Sequence, residues 1–154
     1  MNNKLSKIIY FIVCFVFFLI SDLYLSKLLY QNITRGFAFS SKVLALTYVK
    51  NTGAAFNILP NAREFLIVLS VVVITLLILY VIRHLKSIWM KEIFLISLLC
   101  AGIAGNLHER IVLGYVRDFF ELKFINFPVF NISDIFITIA VIALVIIILV
   151  KKTK

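Results

Sequence analysis

The sequence predicts an all-α membrane protein, a bundle of four transmembrane helices with a small extracytoplasmic β-sheet, or cradle, between helices 1 and 2. Two observations support this fold. Hydrophobic residues make up 63% of the 154 residues and charged residues only 15%, whereas soluble domains are roughly half apolar and a quarter charged. The apolar residues are also concentrated in four runs separated by polar segments. We therefore expect a single membrane domain over residues 1–154.

The four apolar runs define the predicted spans. The first covers residues 8–29, and as a helix it reaches about 33 Å, enough to cross a hydrocarbon core of roughly 30 Å. The second, residues 65–82, is rich in Val, Ile and Leu. The third, residues 93–107, is short and interrupted by two glycines, and the fourth covers residues 135–150.

Lysine and arginine residues indicate how the spans are oriented. The segments before span 1, between spans 2 and 3 and after span 4 carry eight basic residues and one acid, Glu92. Because cytoplasmic loops carry such an excess, we expect both termini in the cytoplasm and the longer connections, residues 30–64 and 108–134, on the outer face. The formal charge of +9 suits anionic membrane lipids. The basic residues do not cluster with aromatic ones, so no nucleic-acid partner is expected.

The two outer connections are predicted to contain the remaining ordered structure. Residues 42–50, Lys-Val-Leu-Ala-Leu-Thr-Tyr-Val-Lys, are rich in strand formers. Because open sheet edges are not tolerated among lipid tails, we expect this strand in a small sheet at the membrane surface. Residues 114–123 are predicted to form a mobile lid that admits substrate.

Acidic residues at the ends of apolar spans are candidate functional residues, because a carboxylate is costly in lipid. Asp22, Asp118 and Asp134 meet this condition. If Asp118 and Asp134 meet across the outer connection, they can share one proton and act as acid and base, as in aspartic proteases. Alternatively, Asp134 caps a helix and Asp118 balances Arg110 or Arg117. From the spacing alone, this structural interpretation is the more common one.

Four blocks of sequence support the catalytic interpretation. In chain order they contain Asp22 with Lys27, then Asn51-Thr52-Gly53-Ala54-Ala55-Phe56, then Gly102-Ile103-Ala104-Gly105-Asn106-Leu107-His108-Glu109-Arg110, and finally Val116-Arg117-Asp118-Phe119 with Phe127-Pro128-Val129-Phe130-Asn131-Ile132-Ser133-Asp134. Together they resemble the motifs of the lipoprotein signal peptidase family, signal peptidase II.

The resemblance implies an intramembrane aspartyl endopeptidase of the bacterial cytoplasmic (inner) membrane, with its active site at the outer face. Such an enzyme removes the signal peptide from diacylglyceryl-modified prolipoproteins, N-terminal to the lipidated cysteine. Asp118 and Asp134 would be the catalytic pair. The residues that would bind substrate or orient the acids are Asn51, Gly53, Asn106, Arg110, Asn131, Asp22 and Lys27. Partners would be the prolipoproteins, membrane lipids and globomycin-type inhibitors, with no cofactor and a monomeric chain.

The sequence departs from the family pattern at three places, one of which is the reduction of the family's paired glycine to Ala101-Gly102. Asp22 and Lys27 are five positions apart, where the family usually has four, so a regular helix puts them on different faces. Glu109 stands before Arg110, where the family normally has Asp. The changes are consistent with an altered substrate preference.

Two other functions would place different requirements on the sequence. A non-catalytic paralogue that binds lipidated precursors would not need the pair of acids. A small transporter subunit would need polar residues facing one another at mid-membrane, and spans 2 and 4 contain few: Ser70, Thr75 and Thr138. A metal site is not expected, since His84 and His108 lack further ligands at suitable spacing.

Overall fold

The computed structural model describes residues 3–54, 59 and 61–152. The elements follow one another in the order α1, β1, α2, α3, β2, α4. The helices are α1 Lys4–Thr34, α2 Arg63–Arg83, α3 Met90–Leu113 and α4 Ile132–Lys152, and the strands are β1 Leu44–Asn51 and β2 Val116–Leu122. All four helices are long and apolar enough to cross a membrane. The predicted fold of four spanning helices and a small sheet is therefore confirmed.

The third helix is longer than the sequence predicts. It continues six residues beyond the predicted end at residue 107, because Asn106, Glu109 and Arg110 are buried against other parts of the protein instead of facing lipid. Hydropathy alone treats such residues as the start of a loop. The helix ends at Gly114, whose left-handed backbone (φ +86°) lets its N–H donate to the Arg110 carbonyl at 3.2 Å.

Helix α3 lies at the centre of the bundle and packs against each of the other three helices. Phe18 of α1 contacts the edges of Phe94 on α3 and Phe136 on α4, with ring centroids 5.3 and 5.6 Å apart. A Cβ at Gly102 would lie 2.6 Å from the carbonyl oxygen of Ser133. The close approach of α3 and α4 therefore requires glycine at this position.

Polar contacts join the chain at the end of the bundle where α1 begins. The buried ammonium group of Lys7 donates to the carbonyl oxygens of Leu85 and Ile88, both at 2.8 Å. Lys151, near the end of α4, forms an ion pair with Glu92 at 2.6 Å. The three basic segments predicted to share one side of the membrane therefore meet, in their described parts, at one end of the bundle.

The sheet lies at the other end and has two antiparallel strands. The strand predicted at residues 42–50 is confirmed as β1, and Val49 pairs with Asp118 of β2. The segment predicted to be a mobile lid, residues 114–123, contains β2, which is hydrogen-bonded to β1 and buries Val116 and Phe119, and its motion stays a prediction. One strand of the cradle thus comes from the connection between α3 and α4.

A short extended segment before α4 runs along the second side of β2. Phe130 donates its N–H to the carbonyl of Phe120 at 3.1 Å and accepts from the N–H of Phe119 at 2.9 Å. These bonds place the next residue, Asn131, beside Asp118. Sheet pairing therefore joins the two acid-bearing segments of the chain.

Candidate active site

Asp118 is an almost fully buried carboxyl group on β2, with 2% of its surface exposed. Its Oδ2 accepts a hydrogen bond from Asn51 Nδ2 at 3.0 Å, and its Oδ1 accepts one from Asn131 Nδ2 at 2.9 Å. Both amides therefore present their NH₂ groups to this carboxyl group. Two of the predicted supporting asparagines therefore contact this acid directly.

The surroundings of Asp118 raise its pKa to about 7, mainly because burial disfavours the charged form. Hydrogen bonds from Asn51 and Asn131 lower the pKa, and the nearby charge of Asp134 raises it. Since β2 lies outside the spanning helices, this carboxyl group is held at the edge of the membrane region. Near neutral pH it can both hold and release a proton.

Asp134 lies in the first turn of α4. Its Oδ1 accepts from Asn106 Nδ2 at 3.0 Å, and its Oδ2 accepts from the backbone N–H of Asn131 at 3.2 Å. In return, the backbone N–H of Asp134 donates to Asn131 Oδ1 at 2.8 Å. This reciprocal arrangement is a capping box in which Asn131 is the cap. The alternative in which Asp134 itself caps the helix is wrong, although one of its oxygens contributes to the cap.

Asn131 and Asn106 connect the two acids. Asn131 Nδ2 donates to Asp118 and also to Asn106 Oδ1, the latter at 3.0 Å. Asn106 in turn donates its NH₂ group to Asp134. The structure thus brings together Asp118, Asp134 and the two asparagines in one hydrogen-bonded network. Such a network fixes the orientation of both carboxyl groups.

Arg110 holds the turn that follows β1. Its Nη2 donates to the carbonyl oxygen of Gly53 at 2.8 Å, and its Nη1 donates to the carbonyl of Asn106 at 3.3 Å. The N–H of Gly53 donates to Asn51 Oδ1 at 2.9 Å, so the side chain of Asn51 closes the same turn. The last two residues of the second sequence block, Ala55 and Phe56, lie outside the described residues.

A cavity of about 620 Å³ lies beside the acids, between α2 and α4. Its apolar walls include Leu69 and Val73 of α2 and Ile139 of α4. Its polar end is lined by Asn51, Asn106, Arg110, Asn131 and Asp134. Asp118 is buried next to two of these asparagines. The cavity therefore combines an apolar channel at the depth of the spanning helices with a polar, acidic end.

The sequence profile of the family described as Signal peptidase (SPase) II matches residues 12–150 of the chain. The chain belongs to this family. The family predicted from the four sequence blocks is therefore confirmed, and the protein is a membrane peptidase of lipoprotein processing.

Relatives and solved structures agree with membership of the signal peptidase II family. The chain is 40% identical over 106 residues to a lipoprotein signal peptidase of Streptococcus thermophilus strain CNRZ 1066, with 68% of each chain covered. It is 43% identical over 107 residues to a lipoprotein signal peptidase of Caldicellulosiruptor bescii, covering 70% of this chain and 68% of the relative. A solved structure described as a bacterial membrane enzyme is 33% identical, with a TM-score of 0.77, 94% of this chain covered and 89% of the other.

Two predicted supporting residues of this signal peptidase II chain lie outside the network. Asp22 is buried between α1, α3 and α4, where Ser133 Oγ donates to its Oδ2 at 2.6 Å. A side chain at Gly105 would overlap this carboxylate. Lys27 is exposed on the continuous helix α1, and within the described part of the chain it forms no ion pair with Asp22. The five-residue spacing thus leaves the two side chains apart.

Sequence reasoning missed three residues next to the site of this peptidase. Ser133 precedes Asp134 and connects α4 to α1 through Asp22. Glu109 and Arg117 form a buried ion pair at 2.6 Å beside the two strands. Glu109 was noticeable only as a departure from the family pattern. Nothing in the sequence indicates that its partner is Arg117.

Proposed function

We propose that the chain is an intramembrane aspartyl endopeptidase that cleaves diacylglyceryl-modified prolipoproteins N-terminal to the lipidated cysteine and so removes the signal peptide. Membership of the signal peptidase II family supports the substrate class. One observation carries the mechanism: Asn131 donates to Asp118 and exchanges reciprocal hydrogen bonds with Asp134. A single residue thereby links the two acids that the reaction requires.

The proposed chemistry uses the two carboxyl groups with one proton between them. A pKa of about 7 supports Asp118 as the protonated member at neutral pH. The Asp134 carboxylate takes a proton from a water molecule, whose oxygen attacks the scissile carbonyl carbon, while Asp118 donates its proton to the carbonyl oxygen. The resulting diol collapses when Asp134 returns its proton to the amide nitrogen and the C–N bond breaks. As the C–N bond breaks, Asp118 recovers a proton from one of the two diol hydroxyl groups, whose oxygen becomes the carbonyl oxygen of the new carboxylic acid.

The cavity between α2 and α4 accounts for substrate access in this proposal. Its apolar walls suit a signal peptide helix, and its polar end suits the extended backbone around the scissile bond. Asn51 and Asn106 can donate to and accept from such a backbone when they exchange part of their present bonding for substrate. The diacylglyceryl chains would remain in the lipid beside the cavity.

The proposed location is a bacterial inner membrane, with both termini in the cytoplasm and the sheet at the outer face. The excess of basic residues at the end of the bundle that contains the termini supports this orientation. Binding of membrane lipids, inhibition by globomycin-type peptides at the polar end of the cavity, and a monomeric state are parts of the same proposal.

The experiment uses the full chain purified in detergent and a synthetic diacylglyceryl-modified prolipoprotein. Asp118→Asn and Asp134→Asn are each expected to lower cleavage by at least about 10³-fold, because each removes a proton donor or acceptor that the other acid cannot replace. Glu121→Gln is the matched control, since this carboxylate lies on the same strand in an exposed ion pair with Lys123. It should cleave at the parent rate.

Three outcomes would count against the proposal. Cleavage by both Asp variants would show that other residues do the chemistry. Equal cleavage of an unlipidated precursor would show that the substrate class is wrong. Tight binding of the precursor by the parent chain without any cleavage would identify a non-catalytic binding protein.

A further inference from the structure

Glu109 and Arg117 form a compact buried contact outside the network of the two acids. Glu109 Oε2 accepts the backbone N–H of Arg117 at 2.7 Å. Glu109 Oε1 accepts from Arg117 Nε at 2.9 Å and from Nη2 at 2.6 Å. The side chains of Arg117 and Glu109 are only 14% and 6% exposed, respectively. A single carboxylate therefore binds both the side chain and the backbone of its partner.

The two residues are direct neighbours of site residues in the chain. Glu109 precedes Arg110 in the last turns of α3, and Arg117 precedes Asp118 on β2. The bond to the backbone N–H of Arg117 fixes the main chain one residue before the acid. Any movement of β2 away from α3 must therefore break three charge-assisted hydrogen bonds.

Aromatic contacts extend this pair to α1 and β1. The Arg117 guanidinium lies 5.3 Å from the centre of the Tyr30 ring of α1. Tyr30 in turn contacts the ring of Tyr48 on β1, with centroids 5.2 Å apart. The planar guanidinium can bind a carboxylate along its edge and an aromatic ring on its face at the same time, which an ammonium group cannot. From its position on β2, Arg117 thus contacts both α1 and α3.

Glutamate at position 109 is matched to this partner. Its side chain is one methylene longer than that of the aspartate expected from the resemblance, and it reaches from α3 to both groups of Arg117. The departure from the family pattern therefore has a structural use within this chain.

We propose that Glu109 and Arg117 are positioning residues that hold Asp118 at the distance from Asp134 that catalysis requires. The inference rests on the proposed function, since it assumes that Asp118 is catalytic. Neither residue is among those that line the cavity beside the acids. Their loss should change the rate of the chemical step and leave substrate binding largely unchanged, because neither side chain contributes to the cavity wall.

The test compares kcat and KM for Glu109→Gln, Arg117→Met and the double variant in the lipidated-precursor assay. Each single change should lower kcat about 10- to 100-fold with KM within about twofold, as expected when an acid is displaced by a fraction of an ångström to about 1 Å. The double variant should lose no more than the worse single variant, because the two residues act as one unit. Arg117→Lys, which keeps the charge and lacks the planar fork, should recover only part of kcat.

The ion pair between Glu121 and Lys123 supplies the control, since it lies near the end of the same sheet and is exposed. Glu121→Gln with Lys123→Met should retain the parent kcat. Should Arg117→Met fail to fold, Arg117→Lys replaces it in the same measurement of kcat and KM. Parent kcat in the folded variants, or a rise in KM alone, overturns the positioning role. Activity of Asp118→Asn would instead refute the proposed function.

Discussion

The pH dependence of cleavage tests the assignment of Asp118 as the proton donor. With a pKa of about 7, the protonated fraction of this carboxyl group falls from about 0.9 at pH 6 to about 0.1 at pH 8, so kcat/KM should fall about tenfold over this range. The assay is cleavage of a fluorogenic lipidated peptide at constant ionic strength in detergent. A flat profile between pH 6 and 8 would refute the reasoning.

The fall of kcat/KM between pH 6 and 8 is the alkaline limb of the pH profile. Two variants should shift the midpoint of this limb in opposite directions. Asn51→Ala removes a hydrogen bond that lowers the pKa of Asp118, so the limb should move to higher pH. Glu109→Gln removes a negative charge that raises the pKa, so the limb should move to lower pH. Shifts in the same direction would mean that the limb belongs to another group. The remaining activity need only be large enough to locate the limb.

The stability of the fold must be followed in parallel. Because the pKa of Asp118 is higher in the folded protein than its ordinary value of 3.8, its contribution to stability is fully present below about pH 4 and is lost as the pH rises toward 7. The melting temperature should therefore fall over this range, and should change little between pH 8 and 9. Loss of activity at a pH where the protein remains folded separates catalysis from unfolding.

Three further predictions concern packing and the network. Gly105→Ala should lower the free energy of unfolding by about 1–3 kcal/mol, measured as a lower melting temperature, because the new methyl group overlaps the Asp22 carboxylate; an unchanged melting temperature would contradict the close packing. Lys7→Met should cost about 1–3 kcal/mol, because it leaves two buried carbonyl groups unpaired, whereas the exposed Lys4→Met should not. Asn131→Leu should lower kcat at least about 100-fold, since both acids lose an orienting partner; near-parent kcat would remove this residue from the mechanism.

The spanning helices could be predicted because lipid imposes a local requirement on sequence. Apolar runs of sufficient length identify α1, α2 and α4 without knowledge of their neighbours. The end of α3 could not be predicted in this way, because Asn106 and Arg110 are buried against protein, and burial against protein depends on the other helices. The hydropathy of the sequence therefore identified α3 as a spanning helix but placed its end at residue 107, whereas α3 ends at Leu113.

Of the two strands of the sheet, β1 could be predicted from the sequence and β2 could not, for a similar reason. Residues 42–50 are rich in β-branched and aromatic residues between polar flanks, which favours a strand. Strand β2 also contains Val116, Phe119 and Phe120, but charged residues are interspersed among them, and its partner β1 lies far away in sequence. Register over such a distance depends on tertiary packing. Without that register, the bond between Asn51 and Asp118 could not be derived.

The residues of the site were predicted by resemblance, and their connections were not. The sequence motifs name Asp118, Asp134 and the asparagines, whereas hydrogen bonds among them depend on how β2, α3 and α4 meet. The exposed position of Lys27 follows from its helical spacing to Asp22. The pair of Glu109 and Arg117 had no local signal, because a charged residue at the end of a span usually faces water.

Asp134 and the asparagines that contact Asp118 lie at the polar end of the cavity, and α2 and α4, which supply apolar walls of this cavity, expose large hydrophobic side chains suited to lipid. On the proposed function, enzyme and substrate then meet by lateral diffusion within the membrane or micelle. The volume of the surrounding solution does not affect the rate at which they meet. The rate should follow the number of substrate molecules per lipid or detergent molecule. Adding empty micelles to a fixed amount of enzyme and substrate should slow cleavage, as surface dilution does for other reactions confined to an interface.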